Sequence, residues 1–147
     1  MGQDDTKHNL LFISKYPQII HEFTDAMKDR DIEIETAING IEAAAKIKKK
    51  NYDIVITGLS LEGYNGEQII TYLNKTAPST VCIIYTTTIS SAQLHFFINE
   101  RNVFRVFLRP VDFRGAFWEA LEEAYEYHAV QVKNEEDTGA GKAGARD

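Results

Sequence analysis

The sequence is poor in several residue types that often decide a protein's chemistry: it has one cysteine, one tryptophan and three prolines among 147 residues. A lone Cys82 rules out an internal disulfide and a thiolate zinc cluster. It lies in the strand-like run Thr80-Val81-Cys82-Ile83-Ile84-Tyr85 and reads as an inert core residue. No window approaches the roughly 18 to 20 consecutive apolar residues of a membrane span, and Met1-Gly2-Gln3-Asp4-Asp5 is too acidic to begin a secretory signal. The chain is therefore expected in the cytoplasm, away from membranes. Positive charge is also in deficit, with 16 Lys and Arg against 22 Asp and Glu for a net charge of −6. A nucleic-acid scaffold normally needs a basic face, so direct nucleic-acid binding is not expected.

Two further absences narrow the chemistry. His8, His21, His95 and His128 have neither i,i+4 nor Cys-paired spacing, so no metal site is expected. Ser14-Lys15-Tyr16-Pro17-Gln18 follows the first apolar run without the glycines of a phosphate-cradling loop, which discounts a nucleotide enzyme. No residue is assigned a catalytic role.

What remains is the composition of one soluble domain, 44% hydrophobic and 26% charged. Short β-type runs alternate with longer helical patterns, the signature of repeated βα units around a parallel sheet. Strands are expected near 9–14, 32–37, 53–57, 80–86 and 103–108, and helices near 17–29, 39–50, 65–75, 90–101 and 111–130. Ile54-Val55-Ile56 and Val81 to Ile84 are continuously apolar, as strands covered on both faces must be. Pro17 suits a first helical turn, and Asn65 and Asp112 suit N-caps. The fold expected is α/β, a doubly wound five-stranded parallel sheet with helices on both faces, over 8–130. Residues 1–7 are expected to be a flexible start. Residues 133–147, nearly free of large apolar side chains, are expected to be a disordered tail.

Several segments carry a family likeness. Leu10 to Pro17 is a strand running into a loop, and Thr36 to Ala43 is a strand, turn and helix start. Tyr52 to Gly66 is a strand and long loop, Thr86 ends the fourth strand, and Arg109-Pro110 follows the fifth. In order and spacing these resemble the receiver domain of two-component response regulators, a CheY-like, flavodoxin-like (βα)5 fold. The run Ile98 to Pro110 especially resembles receivers joined to cyclic-dinucleotide phosphodiesterase output domains, whose activity is not carried over. The resemblance implies that two adjacent acids should stand at Ser14 and Lys15, the phosphoacceptor aspartate at Gly58, the switch hydroxyl at Thr86 and the conserved lysine at Arg109. No one-residue slip restores the aspartate, because 54 through 61 contain no carboxylate.

Phosphoryl transfer to aspartate needs a carboxylate nucleophile, a divalent cation and a cationic side chain on the product. Only the third is kept. Gly58 cannot attack phosphorus, and a pocket of Ser14, Lys15, Thr57, Gly58, Thr86 and Arg109 offers hydroxyls and cations where Mg2+ prefers carboxylates, so Mg2+ binding is expected to be lost. Three functions stay open: a degenerate receiver that binds another signalling protein or itself; a conventional phosphorelay receiver using a displaced acid, Asp53 or Glu62; and a sensor of a small anion at Lys15 and Arg109. Trp118 and Tyr125 read as core margin or as partner anchors. Through the resemblance, the face of the fourth helix, fifth strand and fifth helix adds Phe97, Arg105 and Arg114 as interface candidates.

Overall fold

In the computed structural model, residues 8–100 and 102–145 are described, with side chains as far as Asn134. The segment 1–7, expected to be flexible, lies outside the described residues. Five strands alternate with five helices: β1 His8–Ile13, α1 Pro17–Ala26, β2 Ile32–Ala37, α2 Gly40–Lys49, β3 Ile54–Thr57, α3 Gly66–Thr76, β4 Val81–Thr86, α4 Ser91–Ile98, β5 Val103–Leu108 and α5 Ala116–Ala145. All pairings are parallel and the strand order is β2-β1-β3-β4-β5. The doubly wound α/β sheet is as expected.

Alternation along the strands sorts the core into two layers. Leu10, Phe12, Ile54, Ile56, Ile83 and Tyr85 meet α1 and α5, while Leu11, Ile13, Val55, Cys82 and Ile84 meet α2, α3 and α4. The first layer is aromatic. Phe12 stacks on Phe23 with ring centroids 4.2 Å apart, and the Phe117 ring lies 4.8 Å from Phe107, 5.2 Å from Phe113 and 5.7 Å from Tyr85.

Helix starts follow local chemistry. Pro17 opens α1, Asn39 caps α2, and Asn65 with Gln68 and Ser90 with Gln93 form capping boxes. Asp112 does not cap α5. Its carboxylate accepts from the Arg114 amide and its carbonyl from the Gly115 amide, closing a turn before the helix starts at Ala116. α5 also passes its expected end near 130 and continues to Ala145, into the segment expected to be disordered. Low hydrophobicity suggested disorder there, but a helix already nucleated on the sheet adds further turns without needing a new apolar face.

Two glycines bring backbone segments together at the sheet's C-terminal edge. Gly40 donates its amide to the Glu62 carbonyl, and a side chain there would collide with the Tyr64 carbonyl. Gly66 donates to Leu59, and a side chain there would collide with Gly58 and Leu59 backbone. The loop between β3 and α3 is therefore clamped at both ends. Gly58 differs: an added Cβ would meet only carbonyl oxygens of Tyr85 at 3.7 Å and Ile13 at 4.0 Å. At the opposite edge Asp53 precedes β3. Its carboxylate accepts from the Asn9 amide at 3.3 Å and lies 3.1 Å from His128 Nε2 of α5 and 3.7 Å from His8 Nδ1. Burial alone would raise the Asp53 carboxyl, but the His128 contact, the Asn9 amide and His8 outweigh it and hold the group below its usual range.

Gly40→Ala is expected to cost about 1–3 kcal/mol or more in urea denaturation, against under about 0.5 kcal/mol for Gly58→Ala. Equal effects would contradict the difference in backbone approach. The Asp53 contribution, from a depressed folded pKa, is present above the unfolded carboxyl pKa near 4 and is lost as pH falls through the folded value. Asp53→Asn should therefore lower the urea midpoint at pH 6 and converge with the parent as the solution is acidified toward pH 3.

Candidate functional site

A parallel sheet delivers the C-terminal ends of all its strands to one edge, and β1, β3, β4 and β5 put four loops at the cleft there. β1 leads into Ser14, Lys15 and Tyr16; β3 into Gly58, Leu59 and Ser60; β4 ends at Thr86 and leads into Thr87; β5 leads into Arg109. These residues and Tyr85 line one cleft of about 40 Å³. Of the six pocket residues expected from the sequence, five meet in it: Ser14, Lys15, Gly58, Thr86 and Arg109. Thr57 does not. It is fully buried, and its hydroxyl donates to the Gly58 carbonyl at 2.8 Å, because the last β3 side chain points into the sheet rather than into the loop.

The Ser14 hydroxyl is itself engaged, accepting from the Tyr16 amide at 3.2 Å in a side-chain turn. Lys15 is exposed and donates to Ser60 Oγ at 3.2 Å, with its ammonium 5.4 Å from the centre of the Tyr16 ring. The Arg109 guanidinium lies 4.9 Å from the same ring and 5.9 Å from that of Tyr85. Its amide donates to the Thr86 carbonyl at 2.8 Å, which fixes the loop to the end of β4. Burial pushes the Tyr85 hydroxyl up, with Arg109 pulling partly the other way. Two cations thus approach one aromatic ring, where cation–π attraction supplies a partner for each. Among the described residues neither makes a salt bridge, and no carboxylate lines the cleft.

The two acids considered as displaced acceptors lie elsewhere. Asp53 is at the other end of β3, between Asn9, His8 and His128. Glu62 is exposed in the loop, and its carbonyl holds the Gly40 amide. Tyr16, Ser60, Tyr85 and Thr87 were not anticipated as part of the cleft. Tyr16 was legible only as the residue before a helix-starting proline, and its stacking role depends on β5 bringing Arg109 from 93 positions away.

The interface candidates divide. Phe97 is 1% exposed and packs in the α2–α3–α4 layer; Tyr125 is 7% exposed, donates its hydroxyl to the Asn9 carbonyl and stacks on His8. Both are core residues, because α4 and α5 turn those rings inward: this corrects Phe97 as an interface candidate and settles Tyr125 on its core reading. Trp118 is half-buried with the Arg30 guanidinium 4.3 Å over its ring. Arg105 and Arg114 are exposed, reaching Glu123 at 2.6 Å and Asp25 at 3.5 Å. Exposed apolar side chains stand instead on α4 and the edge strand: Leu94, Ile98 at 72% exposure and Leu108.

Comparisons with known proteins agree with this layout. The response regulator receiver domain family matches residues 11–115. No curated protein matches the sequence. Among solved structures, the signal receiver domain of an HD domain-containing protein from Pseudomonas fluorescens Pf-5 superposes with a TM-score of 0.79 at 19% identity, covering 84% of this chain and 98% of that one. A CheY-like receiver domain protein from Methanospirillum hungatei JF-1 gives 0.76 at 18% identity, over 84% and 98%. A structure described as adenylate cyclase from Rhodopirellula baltica gives 0.80 at 19% identity, over 88% and 96%. Among the described residues no helix is long and apolar enough to cross a membrane. With the family's βα order and the loops that bound its phosphorylation pocket both present, the chain belongs to the response regulator receiver domain family.

Proposed function

We propose that this receiver domain serves two-component signalling without accepting a phosphoryl group at position 58, and that it acts by binding another signalling protein or a second copy of itself. The observation that carries this reading is the cleft's lining. Gly58, which the family resemblance aligns with the nucleophile, lies in the cleft, and the surrounding side chains are hydroxyls, aromatic rings, Leu59 and two cations. A divalent cation has no carboxylate among the lining residues to hold it, and Lys15 and Arg109 line the same cleft with positive charge. No cofactor is invoked.

The displaced-acid alternative loses support from the placement of Asp53 at the far edge of the sheet, which leaves only Glu62. The anion-sensor alternative gains support from the paired cations on Tyr16. For association, the exposed apolar residues of α4 and β5 offer area without disturbing the core.

Acetyl phosphate with Mg2+ is expected to leave the intact mass of the protein unchanged. Gly58→Asp, whose Cβ would meet only ordinary contacts, should remain unlabelled because positions 14 and 15 still lack acids. The combined Ser14→Asp, Lys15→Asp, Gly58→Asp variant should gain a Mg2+-dependent phosphoryl mass. Labelling of the parent, abolished by Glu62→Gln or Asp53→Asn, would overturn the proposal. A second check concerns which residues are free for partners. Ile98→Glu should change stability by less than about 0.5 kcal/mol in urea denaturation, whereas Trp118→Ala should cost at least about 1 kcal/mol because it uncovers the α1–α5 layer.

A further inference from the structure

We infer that the domain assembles head to tail with further copies of itself, the groove between α2 and α3 of one copy receiving the acidic outer face of α5 from the next. This rests on the proposed association with a second copy and names the two surfaces that meet. The groove exists because α2 presents only the methyl of Ala44 to Gln68 and Tyr72 of α3. With the buried Ile69 as floor and the exposed Tyr64 and Lys48 at the rim, these residues enclose a cavity of about 270 Å³. A second cavity of about 200 Å³ adjoins it, sharing Lys48 and Tyr72 and continuing to Thr76 at the end of α3. One water needs about 10–15 Å³ of such space, so the groove has room for whole side chains. It also has a polarity. At its start stand exposed apolar groups, Tyr64 and Ile41, the latter lying against Gly63. At its end stand Lys48 and, three residues after Tyr72, Lys75, both exposed.

The outer face of α5 carries the complementary order. Glu119, Glu122, Glu126 and Val130 recur at i, i+3, i+7 and i+11, all exposed, with Tyr127 exposed beside Val130. Its acids come first and its apolar groups last, the reverse of the groove. Lys48, Lys75, Glu119, Glu122 and Glu126 make no salt bridge among the described residues, whereas Lys46, Lys50 and Glu123 are taken by partners within the chain. Spacing agrees as well. At about 1.5 Å per residue, Ile41 to Lys48 spans about 10 Å of α2 and Glu122 to Val130 about 12 Å of α5. An α5 laid antiparallel to α2 therefore puts Val130 and Tyr127 at the cavity while Glu122 and Glu126 reach the lysines, so that each charge meets its opposite. The groove lies on one face of the sheet and α5 on the other, so a copy that fills a neighbour's groove still has its own groove open. Such a contact is heterologous and propagates into a ring or a filament rather than stopping at a two-fold dimer.

The test is sedimentation velocity of the full chain over a range of concentrations. The parent should show an average mass that rises with concentration past that of a dimer. Lys48→Glu with Lys75→Glu changes the groove alone, and Glu122→Lys with Glu126→Lys changes α5 alone; each pair should weaken association at least about tenfold. All four positions are exposed, so the urea midpoint should stay at the parent value, and where a pair shifts it the single substitutions Lys48→Glu and Glu126→Lys serve instead. A mixture of the two paired variants in equal amounts decides the geometry. Each keeps one working surface, so the mixture should form dimers and stop there. A parent that stays monomeric, a parent whose mass stops at a dimer, or a mixture that does not associate would overturn the inference. So would association abolished by Ile98→Glu and unaffected by both paired variants. Any of these failures would leave the acetyl phosphate result and binding to a different signalling protein standing, because labelling reports on the cleft and sedimentation on α2, α3 and α5.

Discussion

Parallel pairing is the constraint on which the rest depends. Each of the five strands must return over a helix before pairing again, so both faces of the sheet are buried and the C-terminal ends gather along one edge. That edge exists whatever residues occupy it. The chain can therefore exchange the contents of its cleft while β1, β3 and β4 keep their apolar registers. Leu10 to Ile13 pairs with Ile54 to Thr57, and Ile54 to Thr57 with Val81 to Ile84, while Ser14 and Gly58 add only backbone amides, to the Ala37 and Ile13 carbonyls.

The backbone around the cleft is held more tightly than its side chains. Gly40 and Gly66 permit approaches that any Cβ would block, and these fix the path of the loop from Gly58 to Gly66. Lys15 and Arg109 then meet a problem of charge rather than shape. The solution is aromatic: Tyr16 lies near both cations and Tyr85 near Arg109. At the other edge of the sheet, Asp53 with His128 and Tyr125 with Asn9 fasten α5 to β1 and β3. An acid that looked available for chemistry in the sequence is thus occupied in holding elements together.

Much of the fold was legible because its signals are local. Continuous apolar runs marked β3 and β4, Pro17 and Asn65 marked helix starts, and the missing carboxylate between 54 and 61 pointed directly to Gly58. What was not legible depended on distant chain segments. The resemblance made Phe97 an interface candidate, and spacing left Tyr125 open between core margin and partner anchor, because helical spacing does not say how far a helix is rolled against its sheet. Thr57 was placed in the pocket although the strand's pleat turns it into the interior. Tyr16 and Ser60 gained meaning only when β5 and the loop after β3 came beside the first loop. Asp112 resembled a cap, yet its own turn with Arg114 and Gly115 delays α5 to Ala116.

The proposed function turns on a cleft lined by Lys15 and Arg109 and by no carboxylate. The most direct test is an amide NMR titration of the unmodified chain with magnesium chloride, with matched potassium chloride as control. The account predicts no saturable shifts at Ser14, Lys15, Gly58, Thr86 and Arg109. Saturable, magnesium-specific shifts at those residues would mean that a carboxylate reaches the cleft in solution, and would contradict it.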